Sequence, residues 1–248
     1  GPAFRYEEPQ KGRYREFEQV DAEVIGGAPL ASDAEVIALA IQTMHAVGLT
    51  QIRARIGHIG MLRAYLPVAP ADQAKVLHAL DKKNFDMLEQ ELRRLKREDL
   101  AGPLQRVVAL HGDVSVLEEA RTLLGGKGGD AFDAMRALSV QLTHYGIPPS
   151  EYEFDMGVVR GLDYYTGMAF ELDSPNLGAE KQVGGGGAYT LAELFGGEPV
   201  AQTGFALGVD RLVMAAEAEG VFGPAPQLDA YVVPIGESTR PRAPEILS

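Results

Sequence analysis

The sequence predicts an α+β fold, an antiparallel sheet flanked by helices and interrupted by a helical insertion. Three observations carry that expectation. Short runs of alternating apolar residues lie on both sides of the chain's centre. The centre, from Pro67 to about Gly146, has helical periodicity throughout. No internal repeat occurs, and strand and helix do not alternate along the whole chain as a doubly wound fold would require. At 248 residues and 46% apolar content, the chain has the material for one large or two small domains with a buried core.

The elements follow in order. Gly1 to Glu7 is dense in aromatic and charged residues, the texture of a domain interior, and Lys11-Gly12 has the composition of a hairpin turn. Ser32 and Glu35 have capping-box spacing, and Val36, Ile37, Leu39, Ala40, Met44 and Val47 follow at helical intervals to Gly48. Ile52, Ala54 and Ile56 alternate with Arg53 and Arg55, a strand with one apolar face. In the helical centre, Leu77, Leu80, Leu88, Leu92 and Leu95 share one side, and the basic run around Arg93 to Arg97 reads as a solvated face. Ser115 and Glu118 repeat the capping-box spacing, and that helix stops at the glycine-rich 125–129 stretch. Beyond Pro148, Phe154, Met156 and Val158 alternate, and Tyr164, Met168 and Phe170 form a second strand-like run. The expected divisions are a first part of the core over 1–66, a helical insertion over 67–129, a second part of the core over 130–226, and a remnant or further domain beginning at 227–248.

Composition excludes several classes of function. The chain has no cysteine, so disulfide frameworks, thiolate nucleophiles and cysteine-ligated zinc or iron-sulfur sites drop out. With 23 Lys and Arg against 35 Asp and Glu, the net charge of -12 repels a polyanion. No run approaches the roughly 18 apolar residues of a membrane span. A cytoplasmic protein without membrane contact is expected. The five histidines lack metal-ligand spacing, and neither a metal nor a cofactor is implied.

Three segments concentrate chemistry. Between Phe4 and Phe17 lie Arg5, Lys11, Arg13 and Arg15, cations set against the acidic average. Arginine forks grip phosphate or carboxylate, and Phe17 can stack on a base, so the segment is either an anion site or a hairpin with solvated charges. Gln19 and Glu23, four apart, share one face of a strand, where an amide and a carboxylate could receive an ammonium. Arg160, Tyr164 and Tyr165 crowd a strand entrance in Arg-Gly-Leu-Asp-Tyr-Tyr, a grouping suited to a carboxylate or to plain packing. Gly184 to Gly187 lets backbone approach a ligand or a neighbouring strand, without the dinucleotide-binding spacing. Arg211 opens a further helix, where a cation opposes the dipole and so faces an anion.

Together these segments resemble the histidyl-tRNA synthetase superfamily of class II synthetase folds, across nearly the whole chain. The first looks like motif 2, Arg160 to Tyr165 like the histidine-specific signature, and Gly204 to Leu212 like motif 3. By that resemblance Arg5 would hold the ATP α-phosphate, Glu7 and Phe17 the adenine region, and Arg13 and Arg211 the outer phosphates. Gln19 and Glu23 would receive the histidine ammonium or ring, Arg160 would lie by the carboxylate and α-phosphate, and Tyr164 and Tyr165 would line the histidine pocket.

Departures from the family steer the expected function. The second histidine signature, Gly-Gly-Arg-Tyr-Asp-Gly-Leu in the enzymes, reads Gly185-Gly186-Gly187-Ala188-Tyr189-Thr190-Leu191 here, without its arginine and in-register tyrosine. Glu8 replaces a motif 2 arginine, and 229–237 resembles only the first strand of an anticodon-binding domain. Asp33 to Ile37 and Ile56 to Gly60 look like the paralogue that serves as the ATP phosphoribosyltransferase regulatory subunit. The resemblance thus implies a non-catalytic regulatory chain with no catalytic residue of its own. It would bind L-histidine and pair, as a homodimer within a hetero-oligomer, with a short-form ATP phosphoribosyltransferase catalytic chain in histidine biosynthesis, without tRNA. The alternatives are a histidyl-tRNA synthetase catalytic-domain fragment and a stand-alone aminoacyl ligase of the same fold.

Overall fold

A computed structural model of the chain describes residues 1–6, 14–159, 164–224, 230–238 and 240. The described strands are β1 (Pro2–Phe4), β2 (Glu16–Ile25), β3 (Arg53–His58), β4 (His111–Gly112), β5 (Tyr152–Asp155), β6 (Tyr165–Asp173), β7 (Gln182–Tyr189) and β8 (Gln202–Gly208). They form one sheet in the order β1-β2-β8-β7-β6-β3-β5-β4. Neighbours run antiparallel except β3 and β5, which are parallel. This corrects the expectation of a wholly antiparallel sheet. The helical centre joins β3 to β5, and a connection of that length can return the chain in the same direction, which a hairpin cannot.

Helix α1 (Pro29–Val47) begins a turn earlier than the Ser32–Glu35 spacing predicts. Pro29, whose fixed φ suits a first helical position, starts it after Ala28, and no side chain caps it. Ser32 lies buried inside the first turn instead. The helix ends as expected at Gly48, whose φ of 101° lets its own N–H reach the His45 carbonyl and the Leu49 N–H reach that of Met44. The buried face of α1, including Val36, Ile37, Ile41 and Met44, covers the back of β7 and β8 beside α7 (Gly129–His144).

β3 buries Ala54 and Ile56 as its alternation requires, then passes directly into α2 (Ile59–Tyr65). The helical centre comprises α3 (Pro70–Asp81), α4 (Phe85–Arg94), α5 (Ala101–Val107) and α6 (Val116–Leu123), with Leu80, Leu88, Leu92, Leu104 and Leu117 buried. Two local readings change. The two-residue β4 interrupts the helices by pairing with β5. Ser115 precedes α6 but does not cap it; its hydroxyl and its N–H both donate to Asp113. β5 stops at Asp155, because the Asp155 carboxylate accepts the Gly157 N–H at 2.8 Å and turns the chain before Met156 and Val158, which are nonetheless buried.

α8 (Val209–Ala218) closes the described core. The strand expected over 229–237 is absent from 230–238, and Asp229 lies outside the described residues. A strand is stable only in a ladder, and no described strand pairs with this segment. Among the described residues no helix is long and apolar enough to cross a membrane.

Two largely buried ionisable groups flank the back of the sheet. Burial pushes Asp33 up to about 6, against the opposing pull of the Thr203 hydroxyl. Burial holds His58 down at about 4, and its Nδ1 accepts the Gly60 N–H at 3.1 Å, capping α2. The folded chain therefore binds more protons at Asp33 than the unfolded chain does, so that group's contribution falls as pH rises from about 4 to 6. At His58 the unfolded chain binds more protons, so that contribution falls as pH drops from about 6.5 to 4. Each is worth roughly 2–3 kcal/mol, and in the native chain the two slopes oppose one another. Urea midpoints read between pH 4 and 7 should show Asp33→Asn losing more stability on acidification than wild type, and His58→Gln losing less. Parallel curves for all three proteins would contradict these assignments.

Candidate active site

The front of the sheet carries a cleft of about 720 Å³ whose floor is β2, β8, β7 and β6. Its flatness comes from β7. Gly184 to Gly187 pair with Leu207 to Gly204 of β8 on one side and with Leu172 to Ala169 of β6 on the other. A methyl at Gly186 would overlap the Gly204 carbonyl, and one at Gly187 would stand 2.6 Å from the Met168 carbonyl oxygen and 2.8 Å from the Tyr165 ring. Both open readings of the glycine run thus hold at once: the strand packs tightly and lines the cleft.

Arg5, Phe17, Gln19, Glu23, Tyr164, Tyr165 and Arg211 all line this cleft, although they come from separate stretches of the chain. Glu7, Arg13 and Arg160 lie outside the described residues. Gln19 sits opposite Gly208 and Glu23 opposite Gly204, so the register separates two ends of the cleft by four strand residues, roughly 13 Å.

One end is cationic and aromatic. The Arg5 guanidinium lies 4.2 Å over the Phe17 ring centroid, and its Nε donates to the Tyr14 carbonyl at 3.0 Å. Stacking and that hydrogen bond fix the guanidinium while leaving much of its fork for a ligand's anionic oxygens. Arg211, in the first turn of α8, donates from Nε to the Gln182 carbonyl at the end of β7, so the helix start and the strand orient one another.

The other end is acidic and phenolic. Tyr189 donates its hydroxyl to Glu23 Oε2 at 2.6 Å. Burial first, then the hydrogen bond and charge of Glu23, hold the Tyr189 phenol above its usual range, so it stays a donor. Tyr164 packs between its neighbours, 4.7 Å from the Tyr165 ring and edge-on to Tyr189 at 5.7 Å. A methyl at Gly204 would overlap the Glu23 carboxylate, so glycine there is what lets the acid lie across β8.

Sequence reasoning missed Tyr189 and read the pocket tyrosine as lost. Strand alternation places Tyr189 on the face of Gly187, and in the folded chain its phenol enters the cleft and reaches Glu23. It also missed Arg55, which sits beneath the cleft wall with Nε 2.8 Å from Asp173, Nη1 3.0 Å from Asp155 and Nη2 on Glu171, a cleft-lining carboxylate. Burial opposes its charge, but those carboxylates outweigh it and raise its already high pKa further. The only available signal was an arginine on the polar face of β3.

Comparison with known proteins places this geometry. A family model described as Histidyl-tRNA synthetase matches residues 1–212. The histidine–tRNA ligase of Archaeoglobus fulgidus is 42% identical over 218 residues, covering 87% of this chain and 51% of that protein. The chain spans about half the length of the curated relatives it matches. A solved structure from Bacillus halodurans C, described as an ATP phosphoribosyltransferase regulatory subunit/histidyl-tRNA synthetase, is 30% identical with a TM-score of 0.73 over 87% of this chain and 56% of its own. The ATP phosphoribosyl transferase complex from Thermotoga maritima matches at 18% identity and a TM-score of 0.60, over 78% of this chain and 66% of its own, a likeness of fold alone.

These findings overturn the expectation of a regulatory subunit that is not an enzyme. Relatives at about 42% identity across most of the chain are histidine–tRNA ligases, which are enzymes.

Proposed function

Because the chain belongs to the histidyl-tRNA synthetase family, we propose that it carries the histidine-activating core of a histidine–tRNA ligase. The observation that carries this reading is the polarity of the cleft: a carboxylate held by a protonated phenol at one end, and a stacked arginine with a helix-borne arginine at the other. Histidine would seat its imidazole at the first end. Tyr189 occupies one oxygen of Glu23 and so leaves the other to accept an imidazole N–H. Gln19, four residues before Glu23 on the same face of β2, would receive the ammonium, and Tyr165 would wall the ring.

ATP would lie toward Arg5, Phe17 and Arg211. A histidine carboxylate oxygen would then attack the α-phosphorus, the bond to the bridging oxygen of the β-phosphate would break, and pyrophosphate would leave. The chain's contribution is positioning of the two reactants along one strand and stabilisation of charge on the α-phosphate by guanidinium groups aimed in advance. The roles of Arg160, Glu7 and Arg13 remain those the resemblance implies. On this reading tRNA is the acceptor of the activated histidine, the division into two core parts with a helical insertion over 67–129 is that of a catalytic unit, and a homodimer is the proposed assembly.

The test is exchange of labelled pyrophosphate into ATP, driven by each of the twenty amino acids in turn. Histidine alone should support it. Exchange driven by a different amino acid would move the reading to a ligase of other specificity, and exchange with none would reject it.

A further inference from the structure

Behind the cleft, on the opposite face of the sheet, lies a second cavity of about 300 Å³, at the small end of the range for ligand sites. Strand alternation explains its position. Val24, Thr203 and Ala188 stand side by side in register, each one residue along from Glu23, Gly204 and Gly187, and so face away from the cleft. α1 contributes Asp33 to the wall, and α7 contributes Ala134, Met135 and Leu138.

The wall is largely apolar, with Asp33, Thr203 and His58 among its polar groups. Thr203 is only 3% exposed, and its hydroxyl lies near enough to Asp33 to favour the ionised acid, yet neither it nor the buried Asp33 Oδ1 completes a well-formed hydrogen bond among the described residues. Buried polar atoms are nearly always paired, so a carboxylate oxygen and a hydroxyl left incompletely paired in one cavity suit a ligand that brings its own donors. His58 gives a third polar point. Its Nδ1 accepts the Gly60 N–H, which puts the neutral ring's proton on Nε2, and Nε2 lies 3.9 Å from where a methyl on Gly167 would stand, at the edge of the same cavity.

We propose that this cavity binds a small primary amine with an apolar body, its ammonium on Asp33 and Thr203 and its body against Met135, Leu138 and Val24. An ammonium offers up to three donors on one compact head and so can reach both incompletely paired oxygens together. The upward pull of burial on Asp33 agrees, since a bound cation would relieve the penalty on its ionised form. The inference rests on the back of the sheet and is independent of the histidine-activating reading.

Benzylamine is a suitable probe, with benzyl alcohol as the neutral comparison of equal shape. Calorimetric titration of the full chain should give millimolar or tighter binding of the amine, at least about tenfold tighter than the alcohol, and Asp33→Asn should remove that preference. Ala134→Leu, which fills the cavity from α7 and leaves every polar group in place, should abolish binding while thermal unfolding shows an intact fold. That second variant decides the matter if Asp33→Asn does not fold. Equal binding of amine and alcohol, binding that survives Ala134→Leu, or no binding of the amine would overturn the proposal.

Discussion

Replacing Glu23 with glutamine should lower histidine-driven kcat/KM by roughly 10²–10³-fold, the scale on which losing one buried, oriented polar partner acts. The amide keeps the size of the carboxylate and can still accept the Tyr189 hydroxyl, now 2.6 Å from Oε2. Its other atom becomes an NH₂ group, and two donors then face each other where an imidazole N–H needs an acceptor. The loss should appear in KM as well as kcat, because ground-state recognition suffers too. Tyr189→Phe should cost only about tenfold, since it leaves the acid in place and removes one hydrogen bond that orients it. Steady-state pyrophosphate exchange measures both. A Glu23→Gln enzyme within about threefold of wild type would remove Glu23 from the histidine site.

The second large effect is on stability. Arg55→Met should lower the unfolding free energy by roughly 2–4 kcal/mol, because it removes the guanidinium shared by Asp155, Glu171 and Asp173 and leaves the three acids facing one another, with Lys181 3.3 Å from Asp173. Asp173 is the most buried of the three: it is 3% exposed, and its Oδ1 already lacks a hydrogen bond. Adding Asp173→Asn to Arg55→Met should therefore recover part of the loss, a coupling that distant sites would not show. Urea unfolding at unchanged m-value tests this. A single-variant loss below about 0.5 kcal/mol would mean that the cluster is as weak as an ordinary surface ion pair.

What the sequence made legible follows from the range of each signal. Local periodicity located α1, β3 and the helical centre, because helix and strand patterns are written in neighbouring residues. The boundary of α1 shifted because Pro29 starts the helix a turn earlier and so places Ser32 inside it, past the capping position. The parallel pairing of β3 with β5 was not legible, since nothing local in either strand states which partner it takes. Gln19 and Glu23 were legible as a shared face, but the reason Glu23 can lie across the sheet, Gly204 opposite it, exists only in the register of β2 and β8. Tyr189 was hidden by an expectation about which position in a signature must hold the phenol. Side chains from adjacent positions can deliver the same group to one cleft, and only the folded strand tells which does.

The central claim is that the two ends of the cleft bring histidine and ATP together for adenylation. The most direct measurement is a single-turnover reaction of the protein, in excess, with ATP and limiting radiolabelled histidine, quenched and resolved for histidyl adenylate. The account predicts that most of the label appears as histidyl adenylate with an equal amount of pyrophosphate released, and that Glu23→Gln slows the appearance. Label that stays as free histidine while ATP remains intact would contradict it.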